Sequence, residues 1–277
     1  MLETDRDKSI FTRDNIESDL LKKMIIRIDF EGVVDVRDLI KSLQNDNKVK
    51  TSFSKCVEIQ NRNFQMHVNL QRMEMGGNIP VEEIPRGYMF RFSQCQIEKN
   101  SEAILDVASN FICLTMSCNG KYSNSKGYSD FIAHIVAHLT KKQKFLNVTR
   151  IGIRKIDIYT TDDIVDLESK FDSNLSMLRD WSENNGVNLR IYTDLMERNG
   201  LMVNYTQRLE RESNQYKAIL DIDAYQSRDN INQDICKDEN RFGSLLQDNF
   251  NTTLFEMFRD AVSYEYLESV KRNNNDA

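Results

Sequence analysis

The most regular alternation in the chain is Met24-Ile25-Ile26-Arg27-Ile28-Asp29-Phe30. Met24, Ile26, Ile28 and Phe30 share one face and Arg27 and Asp29 the other, so the segment reads as a strand buried on one side. Before it, 12–23 reads as a short helix with Ile16, Leu20 and Leu21 on one face. After it, Asp35 suits an N-cap, and Val36, Leu39, Ile40 and Leu43 form the apolar stripe of a helix. Period-two patterns rich in Phe, Ile, Val and Met then predict strands over 51–59, 63–73, 88–93 and 104–116. Ser129 is the expected N-cap of a helix reaching Lys142, whose closing lysines suit the negative end of its dipole. A strand over 148–159 follows.

The second half repeats this grammar. Strands are expected over 187–197, 201–209 and 216–225, the first two joined by a tight turn at Asn199-Gly200. A polar loop over 227–242 leads to a long helix over 244–270, opened by a capping box of Ser244 and Gln247. Both prolines, Pro80 and Pro85, fall with Gly76 and Gly77 in 75–87, which reads as a loop and candidate flap. The pattern predicts an α+β protein made of two divergent copies of a module of mainly antiparallel strands followed by a helix. The expected parts are a polar leader with its short helix over 1–23, a first module over 24–160 and a second over 161–277.

Composition narrows the function classes. With 40% hydrophobic and 29% charged residues, the chain can bury a core and still dissolve. A net charge of -6 demotes nucleic acid as a partner, since phosphate neutralisation needs clustered Lys and Arg. Five cysteines, an odd number, match no zinc template and point to free thiols. The charged start does not resemble a signal peptide, and no apolar run approaches the roughly 20 residues of a membrane span. The expected setting is the cytoplasm, without a membrane partner.

Few residues suggest chemistry. His134 and His138, four apart on one helix, have the spacing of a zinc pair, but Ile135 stands where a metalloprotease carries its base. Asp221 and Asp223 share one strand face and are alternative metal ligands, although a solvated face needs such residues anyway. There is no nucleophile elbow and no glycine-rich phosphate loop. Arg150, Gly152 and Arg154 also share a strand face, so an anion over Gly152 would be gripped from both sides. The competing reading pairs both arginines with acidic neighbours across the sheet. Ile156 and Ile158 fall on the arginine face, which predicts a bulge near Arg154 or Lys155. In the terminal helix, Phe250, Leu254, Met257, Phe258 and Ala261 form one stripe. Phe255, Val262, Tyr266 and Val270 form a second, which predicts a further contact such as a homodimer interface.

The early Ile-Ile-Arg-Ile-Asp-Phe run, the central Arg150-Ile151-Gly152-Ile153-Arg154 segment and the terminal Phe258 and Tyr264-Glu265-Tyr266 occur in a characteristic order. Over roughly 24–270 this resembles a sporadically distributed family of uncharacterised bacterial and archaeal proteins with a central Arg-x-Gly-x-Arg strand. Lys155 and Asp157 depart from that pattern, standing where the family tends to carry an aromatic residue and an asparagine. The resemblance transfers no catalytic residue. It implies a role in phage defence or toxin–antitoxin conflict. The function expected from all this is a non-enzymatic, cofactor-free protein-binding protein: a sensor, an antitoxin-like neutraliser or an accessory subunit acting as a homodimer. The alternatives are a metal-dependent enzyme acting on nucleotides or nucleic acid, and a sensor of a small anionic ligand.

Overall fold

The structure, a computed structural model, describes residues 7–17, 20–66, 81–97, 102–118, 125–172, 189–213 and 215–271. Nine strands form one antiparallel sheet: β1 (Leu21–Glu31), β2 (Phe53–Met66), β3 (Val81–Cys95), β4 (Glu102–Val107), β5 (Phe111–Ser117), β6 (Asn147–Thr161), β7 (Leu189–Arg198), β8 (Leu201–Glu212) and β9 (Gln215–Ser227). Their spatial order is β2-β3-β4-β5-β1-β6-β9-β8-β7. The expected α+β class with antiparallel strands is therefore observed, and both halves of the chain share one continuous sheet.

The core strand behaves as its alternation requires. Met24, Ile26 and Ile28 are fully buried and Phe30 nearly so, while Ile25, Arg27 and Asp29 lie half-buried on the opposite face. The same alternation runs through β4, β5, β8 and β9. Helices cover the apolar face. They are α1 (Val36–Asn45), α2 (Asn47–Ser52), α3 (Lys126–Lys142), α4 (Ile164–Lys170), α5 (Gln233–Cys236), α6 (Glu239–Ser244), α7 (Asn251–Ala261) and α8 (Tyr264–Ser269). Leu39, Ile40 and Leu43 of α1, Phe131, Ile135 and Leu139 of α3, and Leu254 and Phe258 of α7 join the strand residues in one core. Asp35 caps α1 by accepting from the Arg37 amide at 2.7 Å.

Several local expectations give way to tertiary contacts. Of the 12–23 segment, the described residues 12–17 and 20–23 are not helical: Ile16 bridges Lys271, and Leu21 already belongs to β1. Thr51 and Ser52 end α2, and β2 then runs through 53–66, with a register shift against β3 between Gln60 and Arg62; 67–73 of the expected strand lies outside the described residues. The 104–116 stretch is two strands, β4 and β5. Of the 75–87 segment, Val81 onward belongs to β3, with Pro85 opposite Arg62; 75–80 lies outside the described residues. Helix α3 starts at Lys126, so Ser129 lies inside it and is buried. The Asn199-Gly200 turn is as expected, with left-handed φ angles of 53° and 73°, the geometry that Asn and Gly accept at low cost.

The long C-terminal helix is broken. Residues Leu245–Phe250 form a π turn joining α6 to α7, so Ser244 caps nothing. The helix stops at Val262, which is extended and bridges Phe171. Ser263 then caps α8, accepting from the Tyr266 amide at 3.0 Å. The break lets the chain after α4 dock: Ser263 N–H donates to Lys170 O at 2.9 Å and Asp172 N–H to Ala261 O at 3.1 Å. The end of the expected polar leader is anchored to the same place, with Phe11 fully buried at 5.1 Å from the Tyr264 ring.

Two substitutions in β1 test which face is covered. Ile28→Ala is expected to cost about 2–5 kcal/mol, as buried truncations do, and Ile25→Ala under about 1 kcal/mol. Chemical denaturation of both variants measures the difference.

Candidate functional site

The face of the sheet opposite the helices is crossed by a ladder of opposite charges. Arg91 on β3 donates to Asp106 on β4 at 2.7 and 2.9 Å, through a matched pair of contacts. Arg27 and Asp29, two apart on β1, pair at 2.8 Å. Asp29 also lies 4.0 Å from Arg150 on β6, which in turn donates to Asp223 on β9 at 2.9 Å. Arg154 donates to Asp221 from Nε at 2.6 Å, and through Nη2 as well.

Register explains these partners. Arg150 lies opposite Asp29 on one side, and Arg154 lies opposite Asp223 on the other. Each arginine has a choice of two carboxylates, and the geometry settles on Asp223 for Arg150 and Asp221 for Arg154. The sequence reading that placed the arginines against acidic neighbours is thus the one observed, and their guanidinium groups are committed to carboxylates of the chain itself.

Gly152 has a specific use. The Arg150 side chain folds back over it, and a Cβ there would meet the guanidinium at 2.6 Å. The guanidinium also stacks on the Tyr225 ring, 5.0 Å from its centroid, and Tyr225 is the cross-strand neighbour of Gly152. The missing side chain makes room for the arginine itself. Burial raises the Asp223 carboxyl above its usual range, against the pull of Arg150 and then Arg154.

No bulge interrupts β6 against β9, because the register runs evenly from Arg150 to Thr161. The phase of the strand is kept instead. Ile156 and Ile158 stay on the open face, and Lys155 and Asp157 turn inward. Asp157 is buried, with an exposure of 5%. Burial raises its carboxyl to about 7, opposed by Lys155 and then Lys22, and burial lowers the Lys155 amine to about 8. This inward pair was missed in sequence because two charges in a strand read as solvated. The signal was present in Ile156 and Ile158, which already fix the other face as partly apolar.

The remaining candidates are placed as follows. His134 contacts Asp46 at 3.0 Å and Glu239 at 2.9 Å, while His138 meets Ser42 at 2.7 Å and Asp46 at 3.5 Å. Among the described residues, no group of three or more His, Cys, Asp or Glu side chains is placed to hold a metal ion. In the terminal stripe, Val262 and Tyr266 are buried within the chain, against the segment after α4. Phe255 and Val270 are partly buried on the core. All five cysteines are free thiols, and among the described residues no helix is long and apolar enough to cross a membrane.

One part of the open face is apolar and exposed. Leu189, Ile191 and Leu195 of the edge strand β7 are 47%, 56% and 55% exposed, and Tyr192 on its other face is 44% exposed. Arg208 of β8 lies between Ile191 and Ile219, so the half-buried Ile219 and Ile158 of β9 and β6 stand apart from this margin. No protein-family model, curated protein or solved structure matches this chain.

The inward pair makes stability depend on pH. The folded pKa of Asp157 is raised, so its stabilising contribution is complete below about 4 and is lost as pH rises through about 7. Lys155 is depressed, so its contribution is complete above its ordinary value of 10.5 and is lost as pH falls through about 8. Near pH 7–8 both charges are held at a cost. Replacing the pair together, Lys155→Met with Asp157→Leu, is expected to melt above the wild type near pH 8 by about 1–4 kcal/mol of stability, whereas Asp157→Asn alone leaves the Lys155 ammonium without its carboxylate and is expected to melt below it. Thermal melts of the three proteins at one pH measure both differences.

Proposed function

We propose that this chain is a non-enzymatic protein-binding protein that uses the uncovered sheet face and its β7 edge, first of all to pair with a second copy of itself. The observation that carries the reading is the concentration of exposed apolar side chains on one strand. Of nine exposed large hydrophobic residues among those described, four lie on β7. Monomeric proteins rarely leave such a strand at a sheet edge, because its unpaired amides and carbonyls also template association.

The sequence of β7 supports a second copy as occupant. A two-fold axis normal to the sheet pairs β7 with itself antiparallel and keeps each face on its own side. Centred on Tyr192, that pairing sets Leu189 opposite Leu195 of the second copy, Arg190 opposite Asp194 and Ile191 opposite Thr193. Centred on Asp194, it would set Arg190 against Arg198 and Asp194 against itself. Of these two registers, charge favours the first.

The same reading takes the chain as two divergent copies of one module. In 24–160 the meander of β2 to β5 is followed by α3, and in 161–277 the meander of β7 to β9 is followed by the helices α5 to α8. Work in phage defence or toxin–antitoxin conflict, as antitoxin-like neutraliser or accessory subunit, belongs to this reading through the family resemblance. The anionic-ligand reading at Arg150 and Arg154 has less support, because both guanidinium groups already hold carboxylates.

Light scattering coupled to size exclusion tests the pairing. The wild type is expected at twice the chain mass with a melting temperature that rises with concentration, and the double variant Ile191→Lys, Leu195→Lys at the chain mass, still folded and with a melting temperature independent of concentration. A wild type that stays monomeric at every concentration removes the self-pairing.

A further inference from the structure

The last turn of α3 and the loop after it bring Lys141, Lys142, Lys144 and Phe145 to one end of the sheet, beside the end of β1. Gly32 closes the contact between the two loops. It has a left-handed φ of 84°, and a Cβ on it would lie 1.8 Å from the Phe145 backbone oxygen, so backbone is pressed against backbone here.

Each loop turns one apolar side chain inward and its neighbour outward. Leu146 is buried and Val33 packs against the core. Phe145 and Val34 are 66% and 86% exposed, and Val34 is the most exposed large hydrophobic residue among those described. The Leu146 amide donates to Gln143 O at 3.0 Å, so Lys144 and Phe145 hold the two central positions of a tight turn. Such positions usually carry Gly, Pro, Asn, Asp or Ser, and the turn itself has no use for an aromatic ring.

The charges at this end fall into two groups. Most carboxylates are engaged: Glu31 pairs with Arg228 at 2.5 Å, Asp35 caps α1, Asp38 lies 3.6 Å from Lys41 and Asp234 pairs with Lys237 at 2.9 Å. Asp229, exposed next to Arg228, is the acidic group left over. Lys141, Lys142 and Lys144 are all exposed, and none forms an ion pair among the described residues. The dipole of α3 accounts for Lys141 and Lys142. It does not account for Lys144, which stands beyond the helix with its amine 5.9 Å from the centre of the Phe145 ring. This end therefore presents uncommitted positive charge on a chain whose net charge is -6.

Shape narrows the occupant. Phe145 and Val34 project from two loop ends and do not line a groove, so a rigid protein surface would touch little more than their tips. A fluid interface can admit them whole while its anionic groups meet the lysines. We infer that this end of the sheet docks on an anionic lipid surface. Phe145 and Val34 sink into the headgroup region, and Lys141, Lys142 and Lys144 meet lipid phosphates. Contact of this kind is peripheral and needs no spanning segment, so it adds a lipid partner that the sequence did not lead us to expect. It is independent of the β7 pairing.

Flotation of the full chain with phosphatidylcholine vesicles, with and without phosphatidylglycerol, tests the inference. The wild type is expected to float with the anionic vesicles, to stay behind with the neutral ones, and to be released by salt. Val34→Ser with Phe145→Ser is expected to weaken binding at least about tenfold. Lys142→Gln with Lys144→Gln is expected to do the same, by about tenfold or more. All four side chains replaced are exposed, so both variants should melt like the wild type. Emission of Phe145→Trp should move to shorter wavelength on anionic vesicles, against the background of the chain's single native tryptophan. A wild type that does not float with anionic vesicles overturns the inference. So does equal binding to neutral vesicles, or binding that survives the loss of Val34 and Phe145, which would reduce the contact to attraction by any polyanion.

Discussion

The antiparallel pairing of β1 with β6 is the contact on which the rest of the molecule depends. Among the described residues β1 otherwise pairs only with β5, and β6 only with β9, so within the sheet this ladder joins the five strands of one half to the four of the other. It joins them on both faces. On the helical side, Ile26 and Ile28 lie opposite Ile153 and Ile151, all fully buried. On the open side, Asp29 lies opposite Arg150. The apolar pairs supply the burial that stabilises the join, and the charged pair adds little energy but opposes a one-residue slip that would turn every isoleucine outward.

Charge on the open face follows from that register. The chain carries a net -6, yet on this face Arg91, Arg150 and Arg154 each meet a carboxylate on a neighbouring strand. Each arginine has a carboxylate within reach, partly shielded from water, so the pairs hold their geometry better than isolated surface pairs would. The outcome is a surface whose centre is polar and internally satisfied and whose β7 margin is apolar and exposed. A partner gains little by competing for the arginines and more by covering the margin.

The helical side is organised differently. A π turn carries Gln247 into reach of Arg13, and the break at Val262 lets the chain near both termini close over α8. Insertions of this kind often accompany functional sites, since they displace one side chain from the ordinary helical stripe. Here the displaced residue lines a polar cleft among the helices, with one half of its amide satisfied and the other unmet.

Much of the fold was legible because it rests on local periodicity. The strand over Met24–Phe30, the Asp35 cap, the Asn199-Gly200 turn and the buried stripe ending at Ala261 all follow from side-chain spacing and backbone preference, which neighbours in sequence decide. Three things were decided only in three dimensions. The residues 12–17 form a turn and a bridge in place of a helix, because Ile16 finds Lys271, far away in sequence. Lys155 and Asp157 turn inward because Ile156 and Ile158 keep the phase of β6 against β9, and a ladder of twelve paired residues outweighs two charges. The cleft appears because Arg13, Ser125 and Gln247, scattered along the chain, meet where helices pack. Sequence alone determined which residues alternate and where turns begin, since these are properties of a few adjacent residues. Tertiary structure decided which strand became the centre, which charges found partners and which donors were left without one, since each depends on contacts between residues that the chain keeps far apart.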